Sequence, residues 1–134
     1  MKKFLAVVLV LVGMLGLVAC GGNTKNVKIT DYSSEIYSDA EIDSAIDVAI
    51  DYFEKYFDGC TLTEITYLGD DELDDFQEFA ERNNADDVIV LISDFEVDAS
   101  GGDGSLEPNR TYTDWNWILV RTDGGQWEHV DHGY

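Results

Sequence analysis

The chain has 134 residues, 28 of them acidic and 8 basic, for a formal net charge of −20. A field of that sign repels nucleic-acid backbones and anionic lipid headgroups; it argues against nucleic-acid binding and favours cations or basic partners. The length fits one domain, and a hydrophobic share of 45% with 12% aromatics argues against disorder, because a packed core is within reach.

Met1-Lys2-Lys3 supplies a positive start, Phe4 to Val12 an apolar run, and Gly13 to Ala19 a stretch rich in small residues. Leu17-Val18-Ala19-Cys20, a small residue before a cysteine at the close of that segment, resembles a bacterial lipoprotein cleavage box. The resemblance implies that 1–19 is a signal peptide and that Cys20 becomes the lipid-bearing N-terminus. It also implies a cell-membrane location, lipid-anchored on the extracytoplasmic face of a bacterial envelope. Two or three acyl chains, at ~0.8 kcal/mol per buried methylene, hold a protein on a bilayer where one does not. Lys2 and Lys3 leave with the leader, so 6 basic residues face 28 acidic ones and the charge becomes −22. Residues 20–37, rich in Gly, Asn, Thr, Lys and Ser without periodicity, read as the lipidated cysteine and a flexible tether, and 38–134 as one α+β domain.

Ser38-Asp39-Ala40-Glu41 is a capping box that opens an amphipathic helix. Ile42, Ala45, Ile46, Ala49, Ile50, Phe53 and Phe57 recur at helical spacing, Asp43, Asp47, Asp51, Glu54 and Asp58 cover the other side, and Gly59 stops the run. Cys60 to Leu68 is rich in β-formers, and Asp70 to Arg82 reads as a short acidic helix with Leu73, Phe76, Phe79 and Ala80 inward. Asp87 to Asp98, Arg110 to Thr122 and Gln126 to His132 read as three long strands, the last two joined by the hairpin signal Asp123-Gly124-Gly125. The expected fold is α+β, an N-terminal long helix packed on a curved antiparallel sheet of about four strands, with a short second helix.

The terminal hairpin, Trp117 to Arg121 followed by Gly125 to Asp131, resembles those of cystatin-like and nuclear-transport-factor-2-like domains. Tyr112-Thr113-Asp114-Trp115-Asn116-Trp117 and the closing His132-Gly133-Tyr134 are similar to phrases in small lipoproteins of clostridia-type bacteria. The resemblance covers roughly 38–134. It implies a curved sheet with a pocket on its concave face, on a scaffold that hosts isomerases, dehydratases, transport factors and ligand-binding modules alike.

Strict alternation along the last strand points Trp127, His129 and Asp131 one way and Glu128, Val130 and His132 the other. His129 and Asp131 are therefore the candidates for proton transfer, as in the isomerase and dehydratase members of the wider group. Trp115, Trp117 and Trp127 are the candidates for binding a ligand. Asp98, Asp103 and Glu107 offer oxygen donors of the kind calcium takes, on a Gly-rich loop without the EF-hand order, and no other cofactor is expected. Cys60 has no intramolecular disulfide partner once Cys20 carries lipid, and reads as a buried small apolar residue.

Three function classes remain open. The first is a noncatalytic, membrane-tethered binding or accessory module for a small ligand or a basic envelope protein. The second is an isomerase- or dehydratase-type enzyme using His129 and Asp131 in a sheet pocket. The third is a structural or inhibitory accessory protein.

Overall fold

A computed structural model describes residues 21–30, 32–102 and 104–133. The leader, Cys20, Asp103 and Tyr134 lie outside the described residues, so the signal-peptide and lipid-attachment expectations and one calcium candidate fall there. In chain order the elements are β1 (Lys28–Ile29), α1 (Asp39–Tyr56), β2 (Cys60–Tyr67), a 3-10 segment (Asp70–Phe76), α2 (Gln77–Arg82), β3 (Asp87–Val97), β4 (Thr111–Arg121) and β5 (Glu128–Gly133).

The expected long helix on four antiparallel strands is not the architecture that forms. The described residues are mostly sheet: five strands lie in the order β1-β2-β3-β4-β5, β1 parallel to β2 and every other pair antiparallel, with helices of 18 and 6 residues. The extra strand comes from the stretch expected to be tether. Lys28 and Ile29 pair with Glu64 and Ile65, and Asn23 bridges Thr61. Because α1 connects β1 to β2, the chain re-enters the sheet in the direction it left, which makes that pair parallel. Packing therefore begins at Gly21. Gly22 donates its N–H to Glu54 O, and a Cβ at Gly21 would stand 2.0 Å from the same carbonyl, so only glycine lets this segment lie against the end of α1.

The capping box forms in both directions: Ser38 Oγ accepts from Glu41 N and Glu41 Oε1 from Ser38 N. Ile42, Ala45, Ile46, Ala49 and Phe53 bury the apolar stripe of α1, which contacts β2, β3 and β5. The opposite face of the sheet carries Val88, Val90, Ile118 and Val120, all buried, and the 3-10 segment and α2 contact β3. Asp70 to Arg82 is thus not one helix. Gly69 provides no side-chain cap, and five carboxylates crowd Asp70 to Asp75, so the first two turns tighten into 3-10 form and regular α-helix begins only at Gln77. Tyr37 fills the place β2 vacates when it ends at Tyr67: its hydroxyl donates to Val88 O at 2.7 Å, and burial pushes its pKa up to about 12.

Three extra residues bend the sheet. Thr63 interrupts β2, where Leu62 faces Phe95 but Glu64 already faces Asp94. On the other side of Asp94, β4 takes three steps from Tyr112 to Trp115 while β3 takes two from Phe95 to Ser93, and Asp114 absorbs the difference at φ 57°. Val130 does the same in β5, where Ile118 faces Asp131 and Leu119 faces His129. Each bulge flips the parity of the residues beyond it and increases local twist. Among the described residues no helix is long and apolar enough to cross a membrane.

Candidate functional site

The bulges decide what faces α1. Residues opposite one another across a ladder share a face, so His132 opposite Trp117 and His129 opposite Leu119 both turn toward the helix. Uninterrupted alternation would separate the two histidines and group His129 with Asp131. The extra residue at Val130 reverses this: His132 Nδ1 and His129 Nε2 stand 3.2 Å apart, and the rings stack at an interplanar angle of 11°. Asp131 accepts the backbone N–H of His132 at 2.8 Å and is exposed.

In the same way the bulge at Asp114 brings Tyr112, Trp115 and Trp117 onto one face, against Phe95, Ser93 and Leu91. Trp117 is fully buried. Its indole N–H donates to Ser93 Oγ at 2.8 Å, and its ring meets Tyr52, Phe53, Phe57, His129 and His132. Above it opens a cleft of about 310 Å³. The last turn of α1 and its exit supply one wall, Tyr52, Tyr56, Phe57 and Asp58. Trp115 and His132, stacked with ring centroids 5.8 Å apart, supply the second. Gly102, Ser105 and Leu106 from the β3–β4 loop close the third, and buried Cys60 lines the cleft.

Burial pulls the pKa of His129 down to about 4, and the neighbouring His132 adds to this; a hydrogen bond with the Asp131 backbone and the Asp131 charge act the other way. Burial also lowers His132, against the attraction of Asp131. Both imidazoles are therefore neutral at pH 7, and the contact between them is a neutral N–H···N bond in which one ring donates and the other accepts.

The other expected site residues go elsewhere. Trp127 is a structural clamp: its indole N–H donates to Glu41 O at 3.0 Å, and the Arg121 guanidinium lies 4.5 Å over its ring. A shallow groove beside it is lined by Glu41, Arg121 and Gly124 to Trp127. Asp98 accepts from Ser100 N at 2.8 Å and from the Ser100 hydroxyl, and Glu107 pairs with Arg110 at 2.7 Å. Among the described residues no group of three or more His, Cys, Asp or Glu side chains is arranged to hold a metal ion. Tyr52, Tyr56, Phe57 and His132 are site residues that sequence reasoning misses. Tyr52 and Tyr56 lie one helical turn apart at the end of an amphipathic helix, and that spacing is the available signal.

No protein-family model, curated protein or solved structure matches the chain.

Proposed function

We propose that the protein is a lipid-anchored, extracytoplasmic binding module whose ligand seat is the aromatic cleft between the end of α1 and strands β4 and β5. The observation that carries this is the composition of the cleft wall: five rings, of Tyr52, Tyr56, Phe57, Trp115 and His132, with Ser105 and Asp58 as polar contacts. Concave, largely aromatic surfaces with a few polar groups are the usual form of small-molecule sites. Binding without proton transfer is favoured because the expected pair does not form: Asp131 is exposed and accepts the His132 backbone N–H, while His129 bonds to the His132 ring.

Anchoring rests on the lipoprotein-like leader, and the docked glycines give it a geometric consequence. Gly22 bonds to Glu54, and Asn23 N donates to the carbonyl of Cys60, a cleft residue. A lipid on Cys20 therefore holds the cleft end of the domain toward the bilayer.

Two comparisons test the reading. Wild-type protein is expected in the membrane fraction and Cys20→Ala protein, once the leader is removed, in the soluble fraction; complete membrane retention of Cys20→Ala overturns the anchor. For the seat, the unlipidated mature protein is incubated with an envelope extract and weighed by native mass spectrometry. A bound mass that survives Asp131→Asn and disappears in Trp115→Leu is expected, and a mass lost with Asp131→Asn alone contradicts binding without acid-base chemistry.

A further inference from the structure

We propose that the cleft takes a small organic cation, an alkylammonium group, held by ring faces and by Asp58. This rests on the cleft being a ligand seat and names the class of its ligand. Among the described residues lining the cleft, Asp58 is the one carboxylate and none is lysine or arginine. Aromatic faces attract cations through their quadrupole, and the attraction grows when the cation loses water. Tyr56 is 63% exposed at the mouth, while Trp115 and His132 are half-buried deeper in, so an entering group passes from a wet rim to a partly dry floor.

The fold already uses this chemistry. Each of the chain's three arginines lies over a ring: Arg82 over Phe79 at 4.6 Å, Arg110 over Tyr112 at 4.8 Å and Arg121 over Trp127 at 4.5 Å. The cleft groups four further aromatic side chains and a carboxylate, and the chain sends it no cationic side chain among the described residues. The surrounding field points the same way, since a charge of −20 on a 134-residue chain concentrates cations at its surface and repels anions. A neutral imidazole on the floor is compatible with a cation, whereas an imidazolium would repel it. A volume of about 310 Å³ accommodates a trimethylammonium or primary ammonium headgroup with a short chain.

The ammonium can be a free solute or a lipid headgroup brought close by the anchor, and the two are separable. Unlipidated mature protein is titrated with choline and with 3,3-dimethyl-1-butanol, its uncharged isostere, while the three indole N–H resonances are followed by NMR. Saturable shifts of Trp115 with choline are expected, with the alcohol at least ten-fold weaker. Asp58→Asn should weaken choline about five-fold and Trp115→Leu more than ten-fold; Tyr56→Leu, at an exposed position that leaves the core intact, should weaken it about three-fold. Flotation with phosphatidylcholine vesicles, reduced by the same substitutions, assigns the ammonium to a headgroup, and choline binding without flotation assigns it to a solute. Equal binding of the alcohol and choline overturns the cation while leaving the cleft a ligand seat. Binding of neither overturns both.

Discussion

Trp117→Ala is expected to destabilise the protein by about 3–5 kcal/mol, the range for removing a fully buried large aromatic side chain. The indole touches Tyr52, Phe53 and Phe57 from α1 and its exit and both histidines from β5, so its loss opens a cavity where three elements meet. It also removes the donor to Ser93 Oγ, a buried hydroxyl that itself donates to Trp115 O at 3.2 Å. Against the usual total stability of about 5–15 kcal/mol, such a loss is large. Urea unfolding measures it as a fall in midpoint at constant slope. Trp117→Phe keeps most of the volume and loses the N–H, so it should cost about 1–2 kcal/mol. Equal costs for the two variants would mean that the hydrogen bond, not the packing, carries the effect.

Arg121→Leu comes second, at about 2–4 kcal/mol. Only 13% of the Arg121 side chain is exposed; it bonds Glu41 at 2.5 Å and Asp87 at 2.8 Å while lying over Trp127 and Tyr37. Leucine leaves two carboxylates, 33% and 36% exposed, without the cation they share, and removes the stacking body as well. Hydrogen bonds from the Ser38 backbone and from Arg121 hold the Glu41 carboxyl below its ordinary range, so the same change also loosens the capping box. Arg121→Lys keeps the charge but loses the planar fork, and about half the penalty should remain. Thermal unfolding of the three proteins at one pH and low salt distinguishes these contributions. A leucine variant as stable as wild type would show that the pair is screened and structurally idle.

How far the sequence speaks for the fold varies with the kind of signal. Helix α1 is legible because Ser38 and Glu41 form a reciprocal cap and its apolar residues recur with one period along the whole helix. β1 is not, since two residues on an edge beside Gly, Asn and Lys carry no periodicity, and their strand character comes wholly from pairing with β2. An expectation of four antiparallel strands fails for that reason.

The candidate site is legible by residue type but not by grouping. Tyr112, Trp115 and Trp117 do not share one parity, and neither do His129 and His132; a break of that kind in an aromatic strand is the trace of a bulge. Taken as plain alternation, it pairs His129 with Asp131 and sets His132 on the wrong face. The tyrosines of α1 look like part of a solvated helix end, because nothing local says that β5 will stop opposite them.

The wall of the cleft depends on β5 carrying its extra residue at Val130, and solution NMR of the two histidine rings tests this most directly. Cross-peaks are expected from the His129 ring to Tyr52, whose ring centroid is 4.2 Å away, and to His132, with His129 titrating near pH 4. Because the folded value lies below the unfolded one of about 6.5, the unfolded chain takes up the proton first. This contribution to stability is complete above about pH 6.5 and is lost as the pH falls toward about 4, a drop of about 1–2 kcal/mol after solvent screening of the half-buried ring. A His129 that titrates near its ordinary value and shows no contact with Tyr52 would mean that β5 runs without its bulge, and the cleft as described would not exist.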